Sequence, residues 1–164
     1  MKKVTLLLAF LLVSTSSYAQ DFTILQKNKF ATIEDFKKMR PEILKLANYI
    51  LNTPVFPKTK NKDIATAYIF TWGEYEIDFF GISLDDKKSR KLIDGPDELY
   101  TIYLVCFSKI ALTNPNTHRN MTDAEIYDII SKMLAEYCSE KKNKLKPSRA
   151  LKKIIKKMKK TKKI

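Results

Sequence analysis

Glycine is scarce in this chain, and that scarcity limits the folds open to it. Only Gly73, Gly81 and Gly95 occur among 164 residues, too few for the many tight turns of a sheet-rich protein. Elsewhere, apolar residues recur at the three- and four-residue intervals of amphipathic helices. The sequence therefore predicts an all-α fold: a single-domain bundle of about five helices, with one extended segment and a basic amphipathic helix at the C-terminus.

The first 19 residues have the layout of a secretory signal peptide. A positive start at Lys2 and Lys3 precedes an apolar run, and small residues lead up to Ala19. The apolar run is about half the length needed to span a bilayer. We therefore expect cleavage after Ala19, export to the periplasm or the outside of the cell, and no transmembrane span in the mature chain.

Charge divides the remaining chain into two parts. Residues 20–140 hold 16 basic and 18 acidic side chains, whereas residues 141–164 hold 13 basic side chains and no acidic one. Because blocks of like charge commonly form interaction tails, this break predicts a helical domain over 20–140 and a basic amphipathic tail over 141–164.

Helix signals are clear in the first half of the chain. Thr32 is a suitable N-cap, and Pro41 predicts a short helix to about Met39 followed by a longer one with Pro41 in its first turn. A further helix is predicted over residues 63–72, and after it residues 74–79 alternate acidic and apolar side chains, which favours an extended segment. The predicted buried face of this further helix comprises Ile64, Ala67, Tyr68 and either Thr71 or Trp72.

Two more helices are predicted after Gly95. The first runs to about Leu112 and carries two apolar stripes, which places it in the middle of the bundle. The second begins with a capping box between Thr122 and Glu125 and ends near Cys138. Its predicted core stripe consists of Ile126, Ile129, Ile130, Met133, Leu134 and Tyr137.

The cysteines Cys106 and Cys138 lie on these two helices. A disulfide would suit an exported protein, but a simple antiparallel hairpin separates the two positions by about 12 Å along its axis. Disulfides need Cα atoms within about 7 Å, so we expect free thiols.

Residues for catalysis or metal binding are few. The single histidine, His118, lies in a polar loop without a nucleophile signature, and one histidine with two separated cysteines does not make a zinc site. Carboxylates on alternate residues of an extended segment, Glu74, Glu76 and Asp78, are spaced about 6.5 Å apart and favour a solvated face. We therefore predict no catalytic residue, no cofactor and no metal.

One region suggests a ligand groove. Aromatic and acidic side chains alternate just after the single tryptophan, and this grouping defines the candidate set Trp72, Tyr75, Phe79, Glu74 and Glu76. An alternative function is therefore a glycan-acting enzyme or a ligand-binding protein that uses residues 72–86.

The order of these features resembles small exported helical proteins of Bacteroidota. The resemblance rests on the Tyr18-Ala19-Gln20 ending of the signal peptide, on Trp72-Gly73 before residues 75–79, and on the apolar helix over 100–112. That group has no established activity, so the resemblance implies an exported helical fold and no functional residue.

The tail is predicted to form a helix that begins at Pro147 and Ser148. Its apolar stripe consists of Leu151, Ile154, Ile155 and Met158. Its basic face consists of Arg149, Lys152, Lys153, Lys156, Lys157, Lys159 and Lys160.

Three interpretations of this helix remain open. In the first it docks on the body as the last helix of the bundle, in the second it contacts anionic lipid or another envelope polyanion, and in the third it binds nucleic acid. The absence of aromatic side chains in the tail and the export signal argue against nucleic acid. We expect a non-enzymatic exported protein that associates with anionic envelope surfaces through its tail, and a cationic toxin-like effector is a further alternative resting on the tail alone.

Overall fold

A computed structural model describes residues 32–75, 86–113 and 120–161, together with Phe22 and Leu25. The described residues contain helices and no strand, which confirms the all-α prediction. The α-helices are α1 (Ile33–Asn52), α2 (Lys60–Tyr75), α3 (Lys87–Leu92), α4 (Asp97–Thr113), α5 (Asp123–Ser139) and α6 (Arg149–Thr161), and a short 3-10 turn covers Lys141–Asn143. The predicted signal peptide, the loop around His118 and residues 76–85 lie outside the described residues.

Capping boxes begin two of the longest helices. Thr32 accepts a hydrogen bond from the Asp35 amide and its own amide donates to the Asp35 carboxylate at 3.0 Å. At the start of α5, the amide of Thr122 donates to the Glu125 carboxylate at 2.8 Å. These contacts satisfy amides that lack partners inside the helix, and both predicted starts are confirmed.

The predicted break at Pro41 is wrong. Helix α1 is continuous through Pro41, whose side chain is exposed. Proline removes one hydrogen bond to the preceding turn. On the exposed side of the helix, water can satisfy the carbonyl left without a donor, so α1 continues and buries its opposite face.

Helix α2 is longer than predicted. It begins at Lys60 and continues through Gly73 to Tyr75, so residues 74 and 75 are helical rather than extended. Gly73 costs about 1 kcal/mol relative to alanine in a helix, and burial of the neighbouring Trp72 offsets that cost. The rest of the predicted extended segment lies outside the described residues.

The predicted faces of the helices need two corrections. Ala67 is exposed on α2, where Ala65 and Ile69 are buried instead, and of the two alternatives Thr71 and Trp72 it is Trp72 that is buried. Ile129, predicted to be in the core, is 37% exposed on α5. Helical periodicity identifies the centre of an apolar stripe better than its edges, because a residue at the edge is buried only if a neighbouring helix contacts it.

Helix α4 is the central element of the bundle. It packs against α1, α2 and α5 and buries side chains on most of its circumference, including Leu99, Ile102, Tyr103, Val105 and Phe107. Helix α6 lies at the side of the bundle, where it packs against α5 and α3. This arrangement determines which face of the basic helix points outward.

Candidate anion-binding surface

The start of α6 is fixed by a buried serine. The hydroxyl of Ser148 accepts a hydrogen bond from the Leu151 amide at 3.1 Å, and the Ser148 carbonyl accepts one from the Lys152 amide. Ser148 is therefore the N-cap of α6, and the helix begins at Arg149, just after the predicted start at Pro147 and Ser148. Because Ser148 is itself buried, the cap also fixes the helix start against the bundle.

The apolar stripe of α6 faces the protein's own core. Leu151 is 0% exposed, and Ile154, Ile155 and Met158 are partly buried against the core cluster. The structure thus places in the bundle the side chains that an inserting amphipathic helix would bury in a membrane.

The opposite face of α6 is exposed and cationic. None of its basic side chains forms an ion pair with an acidic residue in the described part of the chain. Seven positive charges therefore stand together on 13 helical residues without local compensation. The exposed residues are Arg149, Lys152, Lys153, Lys156, Lys157, Lys159 and Lys160.

The turn between α5 and α6 is held by buried polar contacts. Asn143 is fully buried, and its side-chain amide donates to the Tyr137 carbonyl at 2.7 Å, which satisfies a carbonyl near the C-terminal end of α5. Lys144 then takes a left-handed conformation with φ of 51°, and Leu145 is buried. These contacts bring the start of α6 back against the end of α5.

A groove of about 570 Å³ lies where the two helices meet. The groove is lined on one side by Cys138 and Ser139 at the end of α5, and by Pro147 before α6. Helix α6 contributes Ile155 and four lysines on one side of the helix, Lys152, Lys156, Lys159 and Lys160. The geometry therefore combines a small apolar surface with a row of lysine side chains.

The cysteine at the groove is a free, protonated thiol. Both Cys106 and Cys138 are unpaired, which confirms the expectation of free thiols. Burial raises the pKa of each to about 12, so neither has the thiolate character of a nucleophilic cysteine. In the groove, the neutral Cys138 thiol acts as part of the apolar wall.

A buried lysine elsewhere links three segments of the bundle. The Lys62 ammonium donates to the carbonyls of Thr53 and Pro54, at 3.0 and 2.8 Å, and to the Tyr137 hydroxyl at 3.2 Å. The Tyr137 hydroxyl in turn donates to the Thr53 carbonyl at 2.8 Å. All three ammonium protons have acceptors, and burial lowers the pKa of Lys62 to about 8.

Lys62 was not identified from the sequence, because it is one of several lysines just before residue 63, where the helix was predicted to begin. The Lys62 side chain is 8% exposed and lies under the end of α1. The turn after α1 determines this position, and the local sequence pattern does not specify that turn. The contacts of Lys62 are structural, because they satisfy carbonyls at a helix end.

The predicted ligand residues around Trp72 are only partly described. Trp72 is 0% exposed, and its indole Nε1 donates to the Phe36 carbonyl at 3.1 Å, so this side chain packs α2 against α1. Glu74 is exposed in the last turn of α2, and the backbone of Tyr75 ends that helix. Glu76 and Phe79 lie outside the described residues, so a groove there stays a prediction.

The described residues contain no group of three or more His, Cys, Asp or Glu side chains that could hold a metal ion. None of the described helices is both long enough and apolar enough to cross a membrane. Searches of family models, curated proteins and solved structures found no match to this chain.

Proposed function

We propose that this is an exported, non-enzymatic protein that associates with anionic envelope surfaces through the basic face of α6. The observation that supports the proposal is the group of seven exposed cations without acidic partners among the described residues. Export rests on the predicted signal peptide, and mass spectrometry of the protein recovered from the producing cell should find Gln20 at its N-terminus. An intact N-terminus beginning at Met1 would contradict this part of the proposal.

The mode of association follows from the burial of the apolar stripe. A free amphipathic helix would insert its apolar face into the lipid, but Leu151 is already in the core. Contact through the outer face of α6 is therefore electrostatic. Each lysine or arginine near an anionic leaflet contributes about 1 kcal/mol, so three or four cations facing the surface contribute about 3–4 kcal/mol.

Electrostatic contact of this kind depends strongly on salt. The screening length falls from about 10 Å at 0.1 M salt to about 3 Å at 1 M. We expect sedimentation with vesicles to increase with the fraction of phosphatidylglycerol in phosphatidylcholine and to disappear in 1 M salt. Binding that persists in 1 M salt would indicate insertion of apolar residues and would contradict the proposed mode.

Substitution tests the surface better than truncation does. Because Leu151 belongs to the core, ending the chain at Glu140 would destabilise the body as well as remove the charges. The variant Lys153→Gln/Lys157→Gln removes two exposed charges from α6, and glutamine has a helix propensity close to that of lysine. We expect it to weaken vesicle binding by roughly 10- to 30-fold.

A matched control removes two charges from the body. Lys38 and Lys60 are both exposed and lie on α1 and at the start of α2. The variant Lys38→Gln/Lys60→Gln has the same net charge as the α6 variant and should bind vesicles nearly as well as the parent protein. Equal losses in the two variants would show that net charge, rather than α6, drives association.

A further inference from the structure

The groove beside α6 lies between the basic face of that helix and the end of α5. From its geometry we infer that it binds one molecule of an anionic amphiphile, with the phosphate or carboxylate head among the lysines and the first part of the chain against the apolar wall. This inference does not depend on the proposed vesicle association, because the ligand would be taken as a monomer from solution.

The charged side of the groove is formed by four lysines at intervals of four, three and one residues, which lie on one side of α6. The acidic residue at the junction does not neutralise them, because the Glu140 carboxylate pairs with Lys142 at 2.9 Å. An anion on this side of the groove would accept charge-assisted hydrogen bonds from adjacent lysines, and such bonds are stronger than neutral ones. The four lysines are Lys152, Lys156, Lys159 and Lys160.

The apolar part of the lining is formed by Ile155, Pro147 and Cys138. The methylene stems of the lysines extend this apolar surface, because lysine commonly lays its stem along apolar groups while its ammonium stays in water. A volume of about 570 Å³ lies within the usual range for small-molecule sites. A simple anion would leave the apolar wall in contact with water, and a neutral lipid would leave the ammonium groups without a partner.

Three probes test separately how the lysines and the apolar lining contribute to affinity. Dodecyl phosphate carries both an anionic head and a chain, dodecylphosphocholine has the same chain with a zwitterionic head, and inorganic phosphate has no chain. We expect calorimetry below the micelle-forming concentration to show saturable one-to-one binding of dodecyl phosphate. The other two probes should bind at least about tenfold more weakly. Equal affinity for inorganic phosphate, or for dodecylphosphocholine, would overturn the inference.

Neighbouring lysines supply a matched pair of variants. Lys152→Gln/Lys156→Gln removes two charges from the groove, whereas Lys153→Gln/Lys157→Gln removes two charges from the adjacent side of α6, outside the groove lining. The first variant should bind dodecyl phosphate about 30-fold more weakly. The second should change affinity less than about threefold, because its side chains do not line the groove and act on the head group only through longer-range, screened charge. Equal effects would contradict a site in the groove.

The Cys138 thiol provides a local readout. We expect saturating dodecyl phosphate to slow alkylation of Cys138, measured by peptide mass, and inorganic phosphate to leave the rate unchanged. An unchanged rate despite saturation would place the ligand elsewhere. If the protein binds vesicles but not dodecyl phosphate, the groove is not a binding site and the proposed function still stands. If it binds dodecyl phosphate but not vesicles, only the proposed function is refuted.

Discussion

Truncating Leu151 to alanine tests whether α6 is part of the folded body. Leu151 is 0% exposed, and replacing a fully buried leucine by alanine costs about 3–5 kcal/mol, from lost transfer free energy and the cavity left behind. Because α6 is at the side of the bundle and can relax toward α5, we expect a loss near the lower end, about 3 kcal/mol. With a urea dependence of about 2 kcal/mol per molar, the unfolding midpoint would fall by about 1.5 M.

The single tryptophan makes this measurement informative. Trp72 is buried between α2 and α1, whereas α6 packs against α5 and α3. A lower midpoint observed by Trp72 fluorescence would therefore report that α6 is coupled to the core. The control is Ile33→Ala, which shortens an apolar side chain that is 70% exposed and should change stability by no more than about 0.5 kcal/mol. An unchanged midpoint for Leu151→Ala would refute the docked position of α6.

Three further predictions concern other parts of the bundle. The pKa of Lys62 is about 8 in the folded protein and 10.5 in the unfolded chain, so between pH 8 and 10 the unfolded state binds more protons. The free energy of unfolding should therefore rise over this pH range relative to that of Lys62→Met, and a difference between the two proteins that does not change with pH in urea titrations would contradict this. Thr122→Ala should lose about 1 kcal/mol in the same assay because it removes the α5 capping box, and no loss would show that the cap is not needed. In the native protein, Cys106 should resist alkylation and Cys138 should react slowly, whereas both should react in urea. A mass of the native protein lower by two hydrogens would show a disulfide instead.

Local signals predicted the starts of α1 and α5 and the approximate start of α6. Thr32 and Thr122 were identified from sequence as capping residues, and Ser148 as part of a helix start, because each interacts with residues only three positions away. Helix α3 was missed for the opposite reason. It has six residues and one apolar side chain, Leu92, and its stability comes from the Asp86 cap and from packing against α6.

The orientation of the tail could not be predicted from sequence. The stripe containing Leu151 has the same spacing whether it faces a core, a membrane or solvent. The groove was missed because it depends on two buried residues, Asn143 and Leu145, that bring α6 back against Cys138. The pattern around Trp72 suggested a groove because aromatic residues serve equally in cores and in ligand sites, and for Trp72 itself the structure shows a core position.

Amide hydrogen exchange along α6 tests the central claim most directly. An isolated helix of 13 residues is only marginally stable in water, so a free tail would exchange within about tenfold of unstructured rates. If α6 is docked, the amides of Ile154, Ile155 and Met158 should exchange at least about 100-fold more slowly than that, approaching those of Ile130 and Leu134 in α5. Fast exchange throughout α6 beside a protected α5 would contradict the docked stripe, and with it the purely electrostatic mode of surface association.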